Sequence, residues 1–419
     1  MSIDNARIDL HVHIGSLGRL DELSRYVSLL ELDGIGLLSL PTAGGGETGN
    51  ETVNFNPEVL ASIYALRSKS DGAAPFVHGF GSLDNRALLY GNESAWDPVA
   101  QVRALVNAGF SAIKMWEGKP DLQSALKITL DDSRLISAFR EAATLGMPVL
   151  IHVADPPVFW ERGDGPYDYV ERDVPSFESL IRQTESLCRA CRETTFIFPH
   201  LLFLAGDIDL MASFLDRHPH AYLDLAPGNY LYPALSAAET PTRPSSERSY
   251  AHARDFFSTY RKRIILGSDA FFFPHDFSLF PGVSLADNIE RLARLERFLR
   301  GTDYFGSPYT LPGAPPLVRG LGLDPEVVSA IAHENARRLF EEAPARSSDR
   351  LSPRHASPQR LAVQRDAALS WLDSWAPPLE TTATTATTAA GENEKEAWRE
   401  SRRFRVESAK SIISGGGVE

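Results

Sequence analysis

The sequence predicts a (β/α)8 barrel with a C-terminal extension that is part helical and part low complexity. Three observations carry that expectation. Eight short apolar or β-branched runs recur, each closed by Gly, Pro, Asp or His and followed by a helical pattern. Their starts lie roughly 25–45 residues apart, room for a strand, a loop, a helix and a return. Every connection is long enough for a crossover, so the strands read as parallel. Eight such strands close most naturally into a barrel; a doubly wound open sheet is the alternative.

In chain order the runs are Arg7–His13, Gly34–Leu40, Phe76–Gly81, Gly109–Trp116, Pro148–Val153, Thr195–His200, Ala221–Ala226 and Arg263–Asp269. Helical patterns fall between and after them at Asp97–Ala108, Ser133–Leu145, Ser176–Arg192, Asp207–Arg217 and Leu285–Leu299, and the barrel finishes with Asp324–Phe340. The barrel domain is therefore set at residues 1–344 and the extension at 345–419. In the extension, Ala345–Arg360 is rich in Ser, Pro and Arg, and Leu361–Trp375 has the apolar stripe of an amphipathic helix. Thr381–Ala390 (TTATTATTAA) reads as a linker. Glu392–Ile413 has acids first and bases later, which suits a helix dipole. One role open to this extension is that of an interaction element or a cover for a neighbouring subunit's mouth.

Composition narrows the function classes. The 419 residues are 43% hydrophobic and 23% charged, as in a globular chain with ample core. Lys+Arg is 42 and Asp+Glu 55, a net charge of −13, so a nucleic-acid surface is not expected. Two cysteines exclude a disulfide scaffold and fit a reducing, cytoplasmic compartment. No secretory signal is read at the N-terminus, and no apolar run reaches the ~18 residues of a membrane span.

The chemistry-bearing residues sit at the ends of the runs. His11-Val12-His13 ends the first, and residues two apart on a strand share a face. Alone, H-x-H is a weak signal. The fifth run ends at His152, the sixth at His200 and the eighth at Asp269, while Lys114 lies near the end of the fourth. Strand ends converge at the mouth of a barrel, so these side chains become neighbours. Their types suit Zn²⁺ or another divalent ion.

DLHVHIG, IHVAD, FPHL, ILGSDA and ENARRLF, in this order, resemble the amidohydrolase superfamily of metal-dependent barrels over about residues 5–342. The resemblance implies metal ligands at His11, His13, His152 and Asp269. It implies that His200 binds a second metal or hydrogen-bonds the attacking water or the substrate. Lys114 is the fork. In binuclear relatives a lysine there is carbamylated and bridges two metals, and His200 then joins the ligands. Otherwise Lys114 is an ordinary mouth lysine that binds a substrate anion. The implied cofactor is one divalent metal, Zn²⁺ foremost, or two if the bridge forms.

The implied enzyme is a hydrolase that uses metal-activated water on an amide, cyclic amide, lactone or other ester of a small molecule. Asp269 and His200 are its catalytic candidates. The alternative is a nonoxidative decarboxylase of an aromatic or unsaturated acid; a binding protein on a retired barrel is a third reading, which the intact ligand set opposes. Trp116, Trp160 and Arg162 are candidates for substrate contact, with loop or core packing as their plain reading. The partner is a small-molecule substrate, and a homodimer is one assembly the resemblance suggests. The Gly-rich Thr42–Asn50 is a lid or a plain loop and lacks the ending of a phosphate loop. Phe271–Phe280 either shapes the pocket or packs. Cys188-Arg-Ala-Cys191 lies late in a helical segment, the wrong place for a redox pair, and two cysteines alone complete no zinc site. His78 reads as a core or mouth histidine, and Asn335 as a tie for backbone near the eighth strand.

Overall fold

The computed structural model describes residues 6–41, 54–68, 76–161, 168–227, 231–232, 235, 247–277, 282–306, 317–342, 358–375 and 403–415. Strands β1 (Ile8–Ile14), β2 (Gly34–Leu38), β3 (Phe76–Gly81), β4 (Ala112–Gly118), β5 (Val149–Val153), β6 (Phe196–Phe198), β7 (Ala221–Asp224), β8 (Ile264–Ile265) and β9 (Ala270–Phe272) form one parallel sheet. Its order runs from β8 through β7 down to β1 and then β9. The two edges, β8 and β9, are pieces of one broken strand. Leu10 N–H donates to Leu266 O at 3.1 Å across the break, so the sheet closes on itself as a (β/α)8 barrel.

The eighth run is thus interrupted where the sequence predicts continuity. The physical reason is Asp9. Its carboxylate accepts from Ser268 N (2.9 Å) and Ser268 Oγ (2.6 Å), replacing ladder bonds, and Asp269 turns left-handed at φ 58°. The sixth strand likewise stops at Phe198, short of His200. Pro199 has no N–H for the ladder, and His200–Phe203 all take φ between 52° and 57°. Left-handed backbone costs an L-residue roughly 1–2 kcal/mol, so this turn is held by its surroundings. The fourth strand begins at Ala112 instead of Gly109, because Gly109 caps the preceding helix at φ 104°.

The crossover helices form where the patterns predict them. Helix Pro98–Ala108 starts with Asp97 accepting from Ala100 N–H and Pro98 in its first turn. Helix Leu285–Arg300 opens on a reciprocal Ser284–Asp287 capping box. Others are Ser133–Thr144, Phe177–Ala190 and Ile208–Arg217, each burying one apolar face against the strands.

Inside the barrel, alternate residues build a floor. Ile8, Leu10, Leu38, Phe76, Phe80, Ala112, Leu150, Ile197 and Ile265 form one buried cluster, which Leu339 and Phe340 of the last helix plug from below. His78 lies there too, its ring 3.8 Å from Phe76 and 4.1 Å from Phe340, a core histidine. Asn335 Nδ2 donates to Ile264 O and Arg261 O, both at 2.6 Å, tying the last helix under the eighth strand.

The extension packs on the barrel wall. Helix Pro358–Trp375 lies against Pro98–Ala108, and residues 403–413 form a further helix. Leu372, Trp375, Val406 and Ile413 are buried in the main apolar cluster. Arg405 donates to Glu58 Oε2 (2.7 Å) and Asn54 O (2.9 Å), beside the loop that follows β2. Thr42–Asn50 and Thr381–Ala390 lie outside the described residues, as does the first half, 392–402, of the expected helix at Glu392–Ile413. Among the described residues, no helix is long and apolar enough to cross a membrane.

Candidate metal centre and active site

A β-bulge in β1 aims the histidine pair inward. The pairing of β1 with β2 shifts register between Asp9 and Val12. Below the shift Ile8 and Leu10 point into the barrel. Strict alternation would then send His11 and His13 outward; the extra residue moves them to the inner face. Val12 and Ile14 go to the outer core instead. Asp9 faces helix Leu20–Leu29, where Tyr26 OH donates to its Oδ2 at 2.7 Å.

At the mouth three donor atoms converge. His11 Nε2 and His13 Nε2 are 3.2 Å apart, and Asp269 Oδ1 lies 3.4 Å from the first and 3.7 Å from the second. Donors on a tetrahedral ion at ~2.0–2.1 Å bond lengths sit about 3.3–3.4 Å from one another, so this triangle fits a divalent cation. The tautomers agree. His11 Nδ1 donates to Asp224 Oδ2 at 2.7 Å, which leaves its Nε2 as a bare lone pair. His13 Nδ1 has no hydrogen-bond partner among the described residues, and burial, then Lys114, holds that imidazole far below its usual pKa, hence neutral. Gly267 makes the approach possible: a Cβ there would lie 2.7 Å from His11 Cβ.

Asp224, at the end of β7, organises this group. Its Oδ1 accepts from His200 N at 3.2 Å and Ala226 N at 2.9 Å. Burial opposes its ionisation, yet His11, His200 and the Ala226 N–H hold its carboxyl down at about 2. His200 Nδ1 donates to Ala226 O at 3.0 Å, so its Nε2 is proton-free; its ring lies 5.7 Å from that of His11 and 4.9 Å from that of His152. His152 comes to the same mouth but stands outside the donor triangle. Its Nε2 donates to Ala154 O at 2.9 Å, so Nδ1 is its free lone pair. Burial, then Lys119, keeps His152 neutral.

Lys114 is fully buried on the inner face, two residues above Ala112 of the floor. No hydrogen bond or ion pair engages its Nζ among the described residues. Burial lowers its pKa to about 8, against the pull of Asp224 and Asp269. Trp116, next on that face, stands edge-on to His152 at 6.4 Å. Trp160 is spent on packing: its Nε1 donates to Pro175 O at 3.1 Å and its ring rests 4.8 Å from Tyr169. Arg162 lies outside the described residues. From the Phe271–Phe280 segment, Phe271 and Phe273 stack on His13 at 5.5 and 6.0 Å.

Several residues here carried no role in the sequence reading. Asp224 sits at a strand end as Asp269 does, and equal treatment of all eight ends would have found it. Lys119 pairs with both oxygens of Asp155 at 2.9 Å, buried, with Tyr169 OH on Asp155 at 2.8 Å. Glu117 is buried beside Asn85, whose Nδ2 donates to it at 2.7 Å. These pairs join residues far apart in sequence, and no local spacing announces them.

The Amidohydrolase family model matches residues 97–341, more than half of the chain. The chain belongs to the amidohydrolase family. The match spans β4 to the last helix; the histidine pair of β1 lies before it and joins the site through its distances to Asp269. This barrel is an enzyme of that superfamily. Solved structures similar to it include a probable 2-pyrone-4,6-dicarboxylic acid hydrolase from Acinetobacter baumannii, at 12% identity and TM-score 0.43, covering 80% of this chain and 98% of that one. A dihydroorotase from Campylobacter jejuni matches at 11% identity and TM-score 0.42, covering 80% and 83%. A 5-carboxyvanillate decarboxylase from Sphingomonas paucimobilis matches at 12% and 0.38, covering 80% and 98%. No curated protein matches the chain.

Proposed function

We propose that this enzyme is a metal-dependent hydrolase that cleaves an amide, cyclic amide, lactone or other ester of a small organic substrate. The observation that carries the reading is the triangle of His11 Nε2, His13 Nε2 and Asp269 Oδ1, with sides of 3.2, 3.4 and 3.7 Å. These three residues would hold a divalent ion, Zn²⁺ foremost, with His152 Nδ1 as a further donor. Such an ion supplies Lewis acidity, lowering the pKa of a water toward neutrality and polarising a carbonyl oxygen.

The chain's own groups do the rest. Asp269 accepts a proton from the attacking water and returns it to the leaving nitrogen or oxygen as the C–N or C–O bond breaks, so the proton count closes. His200, protonated at Nδ1 by its bond to Ala226 O, offers Nε2 as an acceptor that orients the water. In this tautomer it does not donate to a substrate carbonyl. Asp224 fixes the tautomer and angle of His11. Lys114 faces substrate as a cation or, partly neutral at a pKa of about 8, is open to carbamylation and a bridging role. Trp116 forms a wall of the pocket.

Decarboxylation is the second reading, and Lys114 is the observation in its favour: a buried ammonium with no hydrogen-bond or ion-pair partner among the described residues suits a substrate carboxylate. Product analysis separates the two. The metal-loaded enzyme is assayed on a panel of lactones, cyclic amides and esters, and on aromatic and unsaturated acids with CO₂ detection. Turnover of the first panel without CO₂ supports hydrolysis; CO₂ release alone replaces it with decarboxylation. Metal retention unchanged in the His11→Ala/His13→Ala double variant would remove the proposed ligand set altogether.

A further inference from the structure

At the opposite end of the barrel, C-x-x-C meets an H-x-H. Cys188 lies in the last turn of helix Phe177–Ala190, and Cys191 is the residue that ends that helix. His218 ends helix Ile208–Arg217, and His220 immediately precedes β7. Because β6 and β7 are neighbours, with Phe196 beside Ala221, the segments entering these two strands are side by side. The ligand atoms of Cys188, His218 and His220 all lie within 4.8 Å of one another.

Two further observations point to a missing ligand. His218 is 2% exposed, and its Nε2 has no hydrogen-bond partner among the described residues. His220 Nε2 is also buried without a partner among the described residues, while the same ring hydrogen-bonds the Cys188 carbonyl and so presents Nε2 as a lone pair. Unpaired buried imidazole nitrogens cost stability, typically ~1–3 kcal/mol each. Cys191 Sγ makes only a weak contact to Ile136 O, at 3.7 Å, among the described residues.

We propose that Cys188, Cys191, His218 and His220 form a second metal site, distinct from the mouth, that takes a soft divalent ion such as Zn²⁺. The donor set is Cys₂His₂ with the C-x-x-C spacing of structural zinc sites. Cys188, His218 and His220 need draw in by only about 1 Å to reach tetrahedral spacing; Cys191 stands outside this group with its Sγ on Ile136 O, and supplies the fourth donor only on turning its side chain. Each thiol loses its proton to solvent as its sulfur binds. The site staples the helix entering β6 to the strand start of β7. Its position on the far side of the floor makes it structural.

Cobalt separates this site from the mouth, because only this one offers sulfur. The full-length protein, stripped of metal, is titrated with Co²⁺ alone. The expected result is a thiolate-to-cobalt charge-transfer band in the near ultraviolet. That band persists in His11→Ala/His13→Ala, disappears in Cys188→Ser, and needs at least tenfold more Co²⁺ in His220→Gln. If Cys188→Ser does not fold, the His220→Gln shift carries the test. Absence of the band at saturating Co²⁺, or an unchanged titration in His220→Gln, overturns the site. With the band present, two equivalents of zinc per chain count one ion at each end and do not by themselves imply a binuclear mouth.

Discussion

The barrel interior has two halves that are equally buried and chemically opposite. In the lower half the inward residues are Ile8, Leu10, Phe76, Ala112, Leu150 and Ile197. A few residues further along the same chain segments, they become His11, Lys114, His152 and His200, joined by Asp224. Burying apolar groups stabilises the fold; burying unneutralised polar groups opposes it. The lower half therefore supports the fold, and the upper half is retained for what it binds. Substitutions in the two halves should fail in different assays.

The largest expected effect is at the mouth. Asp269→Asn keeps the shape but weakens a metal donor and removes the proton acceptor. Turnover should fall at least ~10³-fold, about 4 kcal/mol of barrier, with the unfolding midpoint nearly unchanged. Full activity in Asp269→Asn would remove Asp269 from the chemistry. The floor should answer in reverse. Phe76→Ala empties a ring from the sealed cluster and should cost about 3–5 kcal/mol of stability in denaturant unfolding. The surviving folded fraction should keep its kcat. A kcat loss at unchanged stability would break the division.

The region between the halves sharpens the comparison. Lys119 and Asp155 form a buried pair beside His152, whose Nε2 is 3.6 Å from Asp155 Oδ1. Lys119→Met takes the cation from Asp155, leaving it the Tyr169 hydroxyl at 2.8 Å and the neutral His152 at 3.6 Å, and should cost about 3 kcal/mol, in line with breaking a buried pair from one side. It should also raise the His152 pKa, since Lys119 is the second cause depressing it, visible in the histidine NMR titration. An unmoved His152 titration would uncouple the pair from the site.

This division explains what the sequence disclosed. Periodicity located Phe76–Gly81 to the residue and most other strands nearly so, because each carries its apolar pattern locally. Asp269, His11 and His13 were legible because they end such runs. The β1 bulge was not, since it depends on pairing with β2. Nor was the break in the eighth strand, which follows from a side chain 259 residues away in sequence. The Cys188–Cys191 motif was read as incomplete because His218 and His220 reach it only through the adjacency of β6 and β7.

Glu117 offers the finest test, since it is an acid buried on the site's edge with no role in the chemistry. Burial raises its carboxyl pKa, against the pull of the Asn85 hydrogen bond. An acid with a raised folded-state pKa binds more protons folded than unfolded above its ordinary value of 4.5. Its contribution to stability is therefore greatest at low pH and declines as pH rises from 4.5 through the folded value. Glu117→Gln cannot ionise and removes that decline. The difference in unfolding free energy between Glu117→Gln and wild type should grow in the variant's favour over this window and then level off. A flat difference would mean that Glu117 ionises in the folded protein as freely as in the unfolded chain. The site's edge would then be wetter than the floor beneath it.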